Sequence, residues 1–260
     1  MPSKQRETVD YQVEEGIARI HLNRPHRLNA VIPQLVEDLC QALDAAALDE
    51  AGAVILAGRG RAFCAGHDLR HEEPSSSEAE ERRQLQRVQD VTRKIRRSPC
   101  AVISAVHGYA LGAGCEFALC SDFVVAASTA RFGFPEVGVG LGVTGGISHV
   151  LPIAVGLARA KELVLFGEQF GARRAEQLGL INRVVEEDEL ENVALEWARA
   201  LRDRPRTALT LAKFALDRGA QSHIEAAYEV EIANALATRH SEEARQAAEA
   251  FRRRSKDDGR

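Results

Sequence analysis

Two glycine-rich junctions, each carrying one glutamate, constrain this chain more than anything else in it. The first reads Ser104-Ala-Val-His-Gly-Tyr-Ala-Leu-Gly-Ala-Gly-Cys-Glu116. Its leading run, Ala101 to Val106, is short, apolar and β-branched, the pattern of a buried strand. Gly108, Gly112 and Gly114 then interrupt the strand and let backbone come close to a neighbour or a ligand. A helical pattern begins at Gly112, with Leu111, Cys115, Phe117 and Leu119 supplying apolar faces, so Glu116 falls in a first helical turn. A carboxylate there gains from the helix dipole, and that alone explains a single acid at such a place. The second junction adds another. Phe132-Gly-Phe-Pro-Glu136 leads into Gly138, Gly140, Gly142, Gly145 and Gly146, which open a further helix running to about Val155. Two carboxylates at two strand-to-helix turns form a candidate pair facing a common cleft.

The rest of the chain sets these turns in an alternating frame. Ala18, Ile20 and Leu22 share one face of a strand, and Ala53 to Ala57 is a second, continuously apolar one. Between them Leu35, Leu39, Leu43 and Ala46 recur at helical spacing, with Pro33 in the first turn. Further strands are expected at Phe123 to Ala127 and around Val184-Val185, which makes the fold α/β. Beyond Ala154 the pattern is helical: 154–166, 172–178 closed by Gly179, 190–201, 206–216, 225–236 and 242–254.

Several function classes are excluded on residue grounds. Gly112-Ala-Gly-Cys-Glu-Phe117 lacks the third glycine of a dinucleotide fingerprint, and the chain has no Gly-Lys-Ser/Thr and no Gly-x-Ser-x-Gly. His67 and His71 are four apart but lack a third ligand nearby, so no metal site is expected. A net charge of −4 gives no reason to expect nucleic acid as the main partner. The N-terminus has no apolar signal-peptide core, and no run approaches the length of a membrane span. Five cysteines without a Cys-x-x-Cys suit reduced thiols and a cytoplasmic location.

Taken in order, the motifs resemble the enoyl-CoA hydratase/isomerase (crotonase) family. The specific matches are His-Gly-Tyr-Ala-Leu-Gly-Ala-Gly-Cys-Glu116, Phe-Gly-Phe-Pro-Glu136 and Ala62-Phe-Cys-Ala-Gly-His-Asp68, with looser ones at Asn23 to Ala30 and at 172–185. The resemblance implies a spiral of ββα units over about residues 1–200, followed by a C-terminal helical oligomerisation region, 201–260. It implies an acyl-CoA substrate and a homotrimer or dimer of trimers. Backbone N–H groups of His67 and Ala113 would form an oxyanion hole, Ala113 standing where most relatives have glycine. Arg27, Ala65, His67, Asp68, Leu69, Arg70, Gly112 and Thr144 are the implied substrate- and CoA-contacting residues. Some of these residues have a plainer alternative. Arg24 and Arg27 also suit a solvated basic loop, and Asp68 reads as a helix N-cap. The basic residues 252–254, which in relatives would lie near a neighbour's CoA, suit a solvated helix end. Thr144 replaces a glycine whose amide, in relatives, helps hold the attacking water, and so puts the pocket's shape in question. The leading function implied is hydration of a 2,3-enoyl-CoA, with Glu116 activating water and Glu136 delivering a proton to Cα. No metal or redox cofactor is implied, because coenzyme A enters as part of the substrate. The rivals are another acyl-CoA reaction on the same scaffold (isomerisation, thioester hydrolysis or ring cleavage) and RNA binding through Arg93 to Arg97.

Overall fold

The computed structural model describes residues 6–71, 77–220 and 246. The expected loop at 74–77 lies mostly outside those residues, as do the helices expected at 225–236 and 242–254. The chain opens with a hairpin, β1 (Val9–Glu14) and β2 (Ile17–Leu22), followed by α1 (Pro33–Leu48) and β3 (Ala53–Gly58). Then come α2 (Glu78–Arg97), β4 (Ala101–Val106), β5 (Tyr109–Leu111), α3 (Ala113–Leu119), β6 (Phe123–Ala127) and β7 (Arg131–Gly133). The remainder is α4 (Ile147–Val155), α5 (Leu157–Phe166), β8 (Phe170–Gly171), α6 (Ala172–Gln177), β9 (Arg183–Val185), α7 (Leu190–Arg202) and α8 (Arg206–Gly219).

Two sheets result. The larger runs β1-β2-β3-β4-β6-β9 and is parallel except for the β1-β2 hairpin; the smaller is β5-β7-β8. Successive turns of the chain therefore lay one strand in the large sheet and a shorter one beside it, the ββα spiral that the motifs imply. The residues after β3 join the smaller stack through a bridge between Cys64 and Ala110.

The large sheet is buried on both faces, which is why β3 and β4 read as continuous apolar runs. One face packs Leu22, Val54, Leu56, Val102 and Val106 against Leu35, Leu39 and Leu43 of α1, Val91 and Ile95 of α2, and Phe117 of α3. The other packs Ile17, Ile55, Ile103 and Val125 against Leu190, Ala194 and Ala198 of α7.

Three details depart from the expected boundaries. Leu111 belongs to β5, not to the helix: its N–H donates to Cys64 O at 3.0 Å. The helix expected over 154–166 starts three residues later, at Leu157, because Gly156 has φ +78° and turns the chain between α4 and α5. No helix starts at Asp68; α2 begins ten residues later, at Glu78.

Candidate active site

Both glutamates hang from the turns that the glycines were expected to make. Gly112, with φ +51°, passes the chain from β5 into α3, and its N–H is held by Gly133 O at 3.0 Å. Glu116 is then the acid of the first turn of α3, and it is fully buried. Glu136 opens a one-turn 3-10 helix, 136–139, just after β7. A Cβ built on Gly112 would stand only 3.1 Å from Glu136 Oε1, so the second glutamate lies over the turn that launches the first. Glu136 Oε2 is buried and has no hydrogen-bond partner among the described residues.

Burial sets the protonation of the pair. It pushes Glu116 up to about 7, against hydrogen bonds from Thr144 that favour the ionised form, and the nearby Glu136 charge pushes the same way. Glu136 is raised as well, mainly by desolvation. A buried carboxyl and a half-buried one close enough to feel each other resist being ionised together.

The two amides implied for an oxyanion hole come from adjoining loops. Around His67 the chain pairs with Val31: Val31 N–H donates to Gly66 O at 2.8 Å and Asp68 N–H to Val31 O at 3.0 Å. A parallel bridge of this kind uses the groups flanking His67 and turns its own N–H the other way. Gly66 (φ +88°) lies against Leu111, where an added Cβ would come within 2.8 Å of Leu111 O. The His67 loop is thus pressed against the residues immediately before Ala113. Ala113 is the first residue of α3, so its N–H has no acceptor within the helix. Neither amide has a partner among the described residues.

The other expected contact residues divide. Arg24 and Asp68 form an ion pair at 3.1 Å with both side chains about nine-tenths buried, and Arg24 also donates to Ala30 O. Burial raises the Asp68 carboxyl, but the Arg24 guanidinium and the Arg70 N–H outweigh it and hold it below its ordinary range. Asp68 is therefore a loop staple rather than an N-cap, and Arg24 is occupied within the protein. Arg27, His67, Leu69 and Arg70 are exposed beside that staple. The Ala65 N–H is taken by Leu28 O at 3.0 Å. A cleft of about 360 Å³ opens alongside, walled by Val31, Ile32, Val36, Leu85 and Val88, with His67 and Asp68 on its rim.

One structural residue escaped the sequence reading. Asn29 is fully buried at φ +56°; its Oδ1 accepts Arg24 N–H at 2.8 Å and its Nδ2 donates to Ala62 O at 2.8 Å and Arg59 O at 2.9 Å. It ties the 23–30 loop to the chain leading into the oxyanion-hole candidate. An asparagine inside a loop that tolerates the left-handed region was the available sign.

Comparison with known proteins agrees with this geometry. The family model described as enoyl-CoA hydratase/isomerase matches residues 12–258, and the chain belongs to that family. It is 36% identical over 228 residues to the crotonyl-CoA hydratase of Syntrophomonas wolfei, covering 86% of this chain and 87% of that protein. It is 34% identical over 223 residues to the 1,2-epoxyphenylacetyl-CoA isomerase of Escherichia coli, with 84% and 85% covered. Among solved structures, an enoyl-CoA hydratase of Mycobacterium smegmatis superposes with a TM-score of 0.89 at 32% identity, over 95% of this chain and 96% of that one.

Proposed function

We propose that the protein is an enoyl-CoA hydratase, adding water across the 2,3-double bond of an acyl-CoA. The observation that carries this reading is Glu136 lying over Gly112, close enough to Glu116 for its charge to be felt there, beside the unpartnered amides of His67 and Ala113. The thioester oxygen accepts from those two amides, and the positive end of α3 adds to them as the oxygen becomes an enolate. Glu116, poised near 7, takes a proton from the water that attacks Cβ. Glu136 delivers a proton to Cα from its unpartnered oxygen. Each turnover leaves Glu116 protonated and Glu136 ionised, so the pair is reset by proton exchange with solvent.

Arg27, Leu69, Arg70 and the Ala65–Asp68 loop form the surface against which the coenzyme A portion lies in this reading, and Gly112 leaves room for the thioester. The group that does chemistry on the thioester comes from the protein alone, and coenzyme A arrives with the substrate. Assembly as a trimer or dimer of trimers in the cytoplasm completes the reading. Exposed Leu157, Leu165 and Phe166 on α5, apolar side chains of the kind a partner covers, support association of some kind. RNA binding through Arg93 to Arg97 is disfavoured, because Arg93, Lys94 and Arg96 are paired with Asp90, Asp44 and Asp217.

Incubation with a panel of 2,3-enoyl-CoA thioesters tests the reaction class. Loss of enoyl absorbance with a product heavier by one water supports hydration. A product of unchanged mass points to isomerisation, and free coenzyme A to hydrolysis.

A further inference from the structure

Thr144 spends both of its polar groups on one carboxylate. Its N–H donates to Glu116 Oε1 at 2.8 Å, and its hydroxyl lies 3.0 Å from Oε2 and 3.3 Å from Oε1. The hydroxyl has a single proton, so it serves one of those oxygens at a time, and the shorter contact is with Oε2. Gly145 follows with φ +58°, and a Cβ there would stand 2.6 Å from Oε2 and 2.9 Å from the carboxyl carbon. Thr144 and Gly145 thus clasp Glu116 from the α4 side and pin its rotamer.

The clasp matters because, apart from the positive end of the short helix α3, nothing else around Glu116 favours its charge. The titratable groups facing it are Glu136 from the turn after β7, Cys64 from the loop after β3, Cys115 of its own helix and Cys120 just past that helix. All are acids, and among the described residues no cation contributes to its ionisation. The amide of residue 144 would remain with any amino acid but proline; the hydroxyl is particular to threonine or serine. Each carboxylate oxygen has two lone-pair directions, so one donor on each leaves each oxygen a second direction for water.

We propose that Thr144 is the positioning residue of the Glu116 base: its hydroxyl orients the carboxylate and sets the pH at which that base becomes active. This rests on the hydratase reading for its kinetic consequence, but the clasp itself is a property of the folded chain.

The test compares Thr144→Val, which keeps the amide and the branched shape, with Thr144→Ser, which keeps the hydroxyl. Thr144→Gly repeats the deletion without the valine methyl. Two readouts are taken: the pH dependence of kcat on an enoyl-CoA, and the carboxyl titration itself. The latter is followed by infrared spectroscopy of protein carrying ¹³C-labelled glutamate, with Glu116→Gln subtracted to isolate the Glu116 band. Loss of the hydroxyl is expected to raise the Glu116 midpoint by about one pH unit, a tenfold change in its ionisation equilibrium. The acid limb of the rate profile should move with it, with KM unchanged, and serine should restore both. A midpoint that stays put in both Val and Gly variants overturns the proposal. If the infrared shift appears while no enoyl-CoA is hydrated, the clasp stands and the hydratase reading falls.

Discussion

Glu116 is a carboxylate placed where folding alone would not put a charge. Its folded value of about 7 exceeds the ordinary value of 4.5, so between them the folded protein holds a proton that the unfolded chain has released. Stability contributed by this group therefore falls as pH rises from about 4.5 to about 7, by up to about 3 kcal/mol. Glutamine cannot ionise. Glu116→Gln is expected to raise Tm relative to the parent at pH 8 and to lose that advantage at pH 5; an equal difference at both pH values contradicts the burial argument. At His67 the expectation is backbone chemistry. His67→Ala keeps the amide and should stay within about tenfold of the parent, whereas His67→Pro deletes the donor and should cost about a hundredfold or more in kcat. Loss of turnover in His67→Ala with coenzyme A binding intact would instead make the imidazole the working group. The turns that carry the two glutamates were legible in the glycine spacing, whereas the His67 and Ala113 amides were named only through the motifs' resemblance to the family. The partners of Asp68 and Thr144 were not. Which side chain an acid or hydroxyl meets is decided by loops that are distant in sequence, and nothing local distinguishes an N-cap from an ion pair with Arg24.

At the level of elements, long strands and helices announced themselves and short ones did not. β3, β4 and α1 carry a full period of their pattern, and the structure has them at the expected places. β5, β7 and β8 are two or three residues long and exist because their neighbours pair with them, so no periodicity could reveal them. The β1 strand was missed for another reason: it lies at the sheet edge with half-exposed residues that alternate poorly. α8 shows what anchors an element whose apolar side chains are only partly covered. Lys213 is buried; its ammonium meets Asp122 Oδ2 at 2.7 Å and donates to Cys100 O at 3.1 Å and Ile95 O at 3.2 Å. Cutting one member of a buried pair leaves the other charge stranded, at a cost of about 3–5 kcal/mol. Lys213→Met should lower the urea midpoint accordingly, and adding Asp122→Asn should recover part of the loss. A change below about 0.5 kcal/mol would show that α8 is held by other contacts.

For the molecule as a whole, the spiral explains why distant segments share one site. Each turn of ββα brings a loop to the same edge, so residues near 67, 113, 136 and 144 meet there although almost eighty residues separate the first from the last. The family and the α/β class follow from motif order, which survives in the sequence. What the cleft beside the site would hold does not follow from it, because its walls are built from side chains such as Val31, Leu85 and Val88 on separate elements. In the hydratase reading two glutamates divide the work of hydration, and their single amide variants test that division. Glu116→Gln and Glu136→Gln are measured by enoyl absorbance decay on a short 2,3-enoyl-CoA, beside a thermal melt and coenzyme A binding. Each positioned acid or base is worth about 10²–10⁴-fold, so each variant should lose that much in kcat while remaining folded and binding coenzyme A. A variant of either glutamate that hydrates at near the parent rate would contradict the two-glutamate mechanism.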